Sequence, residues 1–315
     1  MNAALPMQPT RTLRDKLAAG EFVVTAEFSP PDSADPAEVA HRAVPFSGLV
    51  DALNVTDGSG AHCHLSSLAC CVLLAQEGFE PILQISCRDR NRIAVQGDVL
   101  GAAALGIRNV LCLTGDGVQV GDHPEAKPVF DLDSLSLLGT LRTLRDEARF
   151  LSGRPLETAP ELFLGGAANP FVPPLPFRVE RLAKKVAAGA QFVQTQYCFD
   201  TARLREYMAA VRERGLDRQV SILIGVGPLA SARAARWIRS NVPGVNIPDA
   251  VVARLERAAK PRREGIALCA ELIREIHEIP GVAGIHLMAY RQEAALAGIL
   301  QQAGLRAPSA DPLAV

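Results

Sequence analysis

The chain has 315 residues, a formal net charge of −1 from 33 basic and 34 acidic side chains, and 48% hydrophobic against 21% charged residues. That composition is globular and excludes a disordered or collagen-like chain. With charge near balance and no long basic run, nucleic acid and anionic membrane surfaces are poor partners; the longest clean apolar run, Leu68 to Ala75, is far short of the ~20 residues of a membrane span.

Met1 to Leu13 lacks the apolar core of a signal peptide. The seven cysteines, Cys63, Cys70, Cys71, Cys87, Cys112, Cys198 and Cys269, form no CxxC, and most sit in apolar segments where Cys acts as a small hydrophobe. A cytoplasmic protein is the expectation.

Strand-like apolar runs alternate with helical patterns along the chain. The first strand spans Phe22 to Phe28 and is followed by a helix over Pro36 to Phe46. The second, Ala52 to Thr56, precedes a helix over Leu65 to Glu77; the third, Pro81 to Cys87, precedes one over Asn91 to Gly106. Then come Val110 to Thr114 with Ser134 to Leu151, Leu162 to Ala167 with Phe177 to Ala188, and Phe192 to Gln196 with Thr201 to Arg214. The seventh strand, Val220 to Val226, leads to Pro228 to Arg239 and to a helical pair, Ile247 to Lys260 and Arg262 to Glu278. Val282 to Met288 is the last strand and Gln292 to Ala303 the last helix.

Near-continuous apolar strands separated by helices mean a parallel sheet covered on its faces. Eight such units predict an α/β fold, a (β/α)8 TIM barrel with extra helices before the last strand. An open Rossmann-like sheet is the alternative. The barrel is expected over residues 12–305 as a single catalytic domain, with residues 1–11 and 306–315 as flexible tails.

Two patterns invite other readings. Gly225-Val226-Gly227-Pro228-Leu229-Ala230 matches a relaxed dinucleotide fingerprint, but it comes late and carries a Pro where amides are needed, so a strand-to-helix turn is expected. His62-Cys63-His64 with Cys70 and Cys71 matches no zinc spacing, and no metal is predicted. No GxSxG elbow occurs.

In a barrel the chemistry sits at the C-terminal ends of the strands. The first strand ends Thr25-Ala26-Glu27-Phe28-Ser29-Pro30-Pro31. A glutamate in an apolar strand is costly unless paired or protonated. Burial beside Phe28 and the prolines raises its pKa and suits a general acid; a structural glutamate bonded inside the mouth is the alternative. The next five strands end in Asn54-Val55-Thr56-Asp57, Gln84-Ile85-Ser86-Cys87, Thr114-Gly115-Asp116, Ala167-Ala168-Asn169 and Thr195-Gln196-Tyr197. These small, hydroxyl, amide and acidic groups make a ligand mouth rich in hydrogen bonds.

The same segments, with Gly106-Ile107, Lys185-Val186-Ala187-Ala188-Gly189-Ala190, Asn246-Ile247-Pro248 and Gly284-Ile285-His286, run in an order that resembles the methylenetetrahydrofolate reductase family over roughly residues 20–303. Asp89-Arg90-Asn91-Arg92 and the stretch from Ala126 to Asp133 are more similar to a branch seen in acetogens and in methyltransferase fusions. The resemblance implies a flavin-dependent enzyme reducing 5,10-methylenetetrahydrofolate to 5-methyltetrahydrofolate, with FAD (or FMN) and with NADH or NADPH as donor. Glu27 matches the family's general acid and Asp116 the acid beside the flavin and the pterin. Thr56, Ser86, Gly115, Asp116 and Asn169 match positions at the flavin, and Lys184 and Lys185 would serve its phosphates. Gln196 and Tyr197 would meet the tetrahydrofolate substrate. Cys87 would lie beside the flavin mouth.

Gln84, Asp57, Thr114 and Arg178 depart from the family pattern, and the stretch after His286 is one residue short before Arg291. A folate-binding barrel serving as a methyltransferase component, or a reductase subunit needing a partner electron donor, is the alternative. A homo-oligomer and an electron-transfer partner subunit are both compatible with the resemblance.

Overall fold

A computed structural model describes residues 11–306. The elements in chain order are α1 (Leu13–Ala18), β1 (Val23–Phe28), α2 (Pro36–Ala43), β2 (Ala52–Val55), α3 (Ser67–Gln76), β3 (Pro81–Ser86), α4 (Arg92–Ala104) and β4 (Asn109–Leu113). They continue with α5 (Ser134–Asp146), β5 (Phe163–Ala168), α6 (Leu175–Ala188), β6 (Phe192–Tyr197), α7 (Thr201–Glu213), β7 (Ser221–Val226), α8 (Ala232–Asn241), α9 (Asp249–Arg257), α10 (Pro261–His277), β8 (Val282–Leu287) and α11 (Leu296–Gln302). All eight strands are parallel and close in sequence order, β8 pairing back to β1. This is the (β/α)8 barrel expected, with α9 and α10 as the extra helices before β8.

The strand limits fall within one residue of those expected. Larger differences lie in the helices. The helix expected to Leu151 stops at Asp146, and the chain folds back there through a bridge between Arg149 and Pro155. The helix expected from Pro228 begins only at Ala232, where the Ser231 hydroxyl caps the Ala234 amide. Helix α1 was not expected; its six residues are too few to show a period, and a Thr12–Asp15 capping box holds it. The tails named above lie outside the described residues, except at their inner ends. There Arg11 pairs with Glu21 at 2.6 Å and Arg306 with Asp51.

Alternation along each strand sends one set of side chains outward and the other into the barrel. Val24, Ala26, Leu53, Leu83, Val110, Leu164 and Val193 face outward and pack under the helices in the main core. The interior is layered. At the base, Val23, Ala52, Ile82, Leu111, Phe163, Phe192 and Leu223 form a second apolar cluster closed by Leu13 of α1. Phe192 stacks on Phe163 with centroids 5.0 Å apart. It has room because Gly165 lacks a side chain; a Cβ there would lie 2.2 Å from the Phe192 ring.

Above the base the interior turns polar. Thr25, Asn54, Gln84, Gln194 and His286 are all buried. Asn54 Nδ2 donates to Gln194 Oε1 at 2.8 Å, Gln194 Nε2 donates to Thr25 Oγ1 at 3.3 Å, and Thr25 Oγ1 meets His286 Nδ1 at 3.0 Å. Burial pushes the His286 imidazole down to about 3, so it is neutral at physiological pH. The apolar base seals this layer from below, and the active-site mouth opens above it.

Candidate active site at the barrel mouth

A cavity of ≈ 490 Å³ opens at the C-terminal ends of the strands. Its floor is the polar layer, through Asn54, Gln84, Gln194 and His286. Glu27 stands one inward step above Thr25 on β1, and no salt bridge among the described residues neutralises it. Desolvation raises its carboxyl from the usual 4.5 to about 7. It is half-buried because it faces the cavity.

On β2 and β3 the next inward positions are Thr56 and Ser86, and both hydroxyl oxygens are buried with no hydrogen-bond partner. Buried hydroxyls left unpaired are costly, so this wall is built for a ligand that bonds to them. Beside them Gly115 takes φ +93°, and a Cβ there would crowd the Cβ atoms of Ser86 and Arg88 at 3.1 Å. Gln196 lines the opposite side; its Oε1 accepts the Tyr197 amide at 2.9 Å. Asp116 is exposed at the rim and accepts the Gly60 amide at 3.2 Å. Asn169 also lines the cavity, its Oδ1 accepting the Phe171 amide at 3.1 Å.

The cavity has a lateral branch that passes outside the barrel wall, reaching Cys112, Ser134, Leu182 and Lys185. Lys185 is 6% exposed, and its Nζ reaches the Ser134 hydroxyl at 3.2 Å. The lysine chain runs beside Gly166 of β5, where a Cβ would sit in ordinary contact with it at 3.6 Å. Desolvation, with Arg181 nearby, lowers the Lys185 pKa, and among the described residues no carboxylate bonds to it. A buried cation without a bonded counter-ion favours an anionic ligand. Arg181 and Arg178 carry the positive charge along α6 to the rim. Positions 178, 181 and 185 share one helix face by their i, i+3, i+7 spacing. Arg178 is braced by the carbonyls of Val172 and Pro173, and Arg178 and Arg181 flank the exposed Phe177 ring at 5.5 and 5.7 Å.

Two expected residues lie elsewhere. Lys184, the neighbour of Lys185, is turned ~100° around α6 and points into solvent. Tyr197 lies behind the wall; its hydroxyl donates to the Met288 carbonyl at 2.9 Å. Its ring and Met288 fill the space left by Gly227, where a Cβ would come within 2.6 Å of the ring and 2.2 Å of the Met288 carbonyl oxygen. The Gly225–Gly227 pair therefore serves strand packing, as the turn reading expected. Asp57 lines the cavity too, but it forks onto Arg90 at 2.7 and 3.2 Å and accepts the Ser86 amide at 2.8 Å, fixing the turn after β3. Cys87 is fully buried, and desolvation pushes its thiol up to about 11.

Arg88, Arg181, Ser134 and His286 line the cavity but were not singled out as functional residues from sequence. The helical spacing of 178, 181 and 185 was a usable signal for the cationic face. Arg88 carried none, because its place depends on Asp89 and on the Gly58 carbonyl, 3.0 Å away.

Fold and site define the class: a (β/α)8 barrel with a protonatable acid over a polar floor and a cationic side branch. The profile of the methylenetetrahydrofolate reductase family matches residues 12–304, and the chain belongs to that family. Similar curated proteins include methylenetetrahydrofolate reductase 2 of Schizosaccharomyces pombe, 26% identical over 93% of this chain and 47% of the relative. A probable methylenetetrahydrofolate reductase (NADPH) of Caenorhabditis elegans is 24% identical over 72% of this chain and 33% of its own length. The chain thus spans about half, or less, of the curated relatives it matches. Among solved structures, an uncharacterized protein from Clostridium thermocellum that binds two copies of 5-methyl-5,6,7,8-tetrahydrofolic acid superposes with TM-score 0.64. Its identity is 15%, over 93% of this chain and 99% of that one. The long-chain alkane monooxygenase LadA gives TM-score 0.55 at 10% identity, covering 92% and 94%. At such identities the likeness shows the barrel fold.

Proposed function

We propose that residues 12–305 form a catalytic unit that reduces 5,10-methylenetetrahydrofolate to 5-methyltetrahydrofolate, with a flavin in the mouth and NADH or NADPH as donor. Family membership supports the reaction class. The observation that carries the reading is Glu27, an acid held near pH 7 by desolvation alone, facing the cavity among hydrogen-bonding groups.

The residues present fit a flavin nucleotide. The unpartnered Thr56 and Ser86 hydroxyls and the Gly115 backbone offer a polar edge for its ring, and Lys185, Arg181 and Ser134 offer the side branch for its phosphate. FAD is the first reading and FMN the second. A bound flavin supplies the hydride. The chain's own residues handle the proton and the geometry. Glu27, half protonated near neutrality, gives its proton to the folate nitrogen that departs as the five-membered ring opens. Asp116 and Gln196 hold the substrate's polar edges from opposite sides of the mouth. The net reaction consumes one hydride and one proton, and Glu27 regains its proton from water through the open mouth.

The test is anaerobic stopped-flow absorbance of each half-reaction. A flavin-loaded protein should be bleached by NADH or NADPH and reoxidised by methylenetetrahydrofolate. A protein that takes up neither FAD nor FMN overturns the reading. If that colourless protein still binds tetrahydrofolate, the methyltransferase-component reading replaces it.

A further inference from the structure

We infer that Asp122 is a positioning residue for Asp116, acting through the backbone of the loop that leaves β2. The inference rests on the reading in which Asp116 meets the ligand.

Asp116 is exposed and sits on the loop after β4, close enough to Arg88 for their charges to interact. Its Oδ2 accepts the Gly60 amide at 3.2 Å. Six residues on, Asp122 Oδ2 accepts the Cys63 amide at 3.2 Å, and this backbone bond lowers the Asp122 pKa. Two carboxylates of one loop therefore grip two amides of the other.

Between the grips the backbones touch. A Cβ on Gly121 would lie 1.8 Å from the Ala61 carbonyl oxygen, and Ala61 itself takes φ 59°. A non-glycine residue in that region is held there by its surroundings. Single exposed hydrogen bonds are weak, but two grips about a close backbone contact leave the Gly60 amide only one place to be. Asp122 is absent from the cavity wall while Asp116 is part of it. Its effect on the reaction must therefore pass through the loop.

Hydrogen exchange of the Gly60 and Cys63 amides, read by NMR on the full chain, tests this with Asp122→Ala and Asp122→Asn. Asp122→Ala should speed exchange at Cys63 and also at Gly60, which Asp122 does not touch, by roughly tenfold each. It should slow folate reduction roughly tenfold with flavin content unchanged. Asp122→Asn keeps an acceptor oxygen and should restore both. An unchanged Gly60 rate in Asp122→Ala, or Asp122→Asn behaving like Asp122→Ala, overturns the inference. Absence of folate reduction in the unaltered protein counts against the proposed function alone, because the exchange readout still decides the clasp.

Discussion

At the scale of the residue, Glu27 ties function to instability. Its carboxyl rises from 4.5 to about 7 because folding removes water without supplying a cation. The folded state then binds a proton that the unfolded state gives up between those two values, so stability falls as pH rises through that window. The difference amounts to about 3 kcal/mol at pH 8. Glu27→Gln should therefore raise the denaturation midpoint at pH 8 and leave it nearly unchanged at pH 4. The same variant should keep flavin reduction by the nicotinamide donor and lose folate reduction by about a hundredfold or more. In the unaltered enzyme the folate half-reaction should fall as pH rises above about 7, where Glu27 has lost its proton. Equal loss of both half-reactions in Glu27→Gln, or a flat pH profile, would remove Glu27 from the acid role. His286 sits in the layer below but is neutral across this range, so it does not compete for the proton.

At the scale of the element, α6 is built to bring charge to the side branch. Lys185 is buried with, among the described residues, only a hydroxyl partner, so in the free protein it carries a desolvation cost that an anionic ligand removes. Lys185→Met should raise the melting temperature of the flavin-free protein and weaken flavin binding by ten- to a hundredfold, the weight of a charge-assisted hydrogen bond. A variant that binds flavin as tightly as the unaltered protein would place the nucleotide phosphate elsewhere. This element also marks what the sequence could and could not disclose. The strands were legible because parallel strands buried on both faces read as continuous apolar runs, and strand-end polarity picked out Glu27, Thr56, Ser86 and Gln196. Lys184 and Lys185 are told apart by the helix angle, which aligns 185 with 178 and 181 and puts 184 in solvent. Tyr197 followed Gln196 in a promising motif, yet strand alternation and the register shift after Gln194 turn it behind the wall. The loop clasp joins residues more than fifty positions apart, a distance over which local pattern carries no signal.

At the scale of the whole molecule, the base of the barrel holds stability while the mouth holds chemistry, and Asp51 shows how the ends are tied. Its side chain is 3% exposed. It accepts the Val24 amide at 2.7 Å and Lys16 Nζ at 2.7 Å, and it pairs with Arg306. One carboxylate thus links α1, β1, the entry to β2 and the chain beyond α11, at the edge where β1 meets β2. Burial alone would raise its pKa, but Arg306, Lys16 and the Val24 amide outweigh burial and hold it below 3.8. A depressed carboxylate contributes stability that is fully present above its unfolded pKa and lost as pH falls through the folded one. Asp51→Asn keeps the shape and removes the charge. Lys16 and Arg306 are each about a quarter exposed and can turn to water, so the cost belongs at the low end for a broken buried pair, about 2–3 kcal/mol at pH 7. The gap between the two proteins should close as pH falls below about 4. Urea titrations at pH 7 and pH 3 measure it directly. A gap of the same size at both pH values would mean that Asp51 acts through packing rather than charge. Because the site lies at the other end of the barrel, folate and flavin affinities should be unchanged wherever the variant is folded.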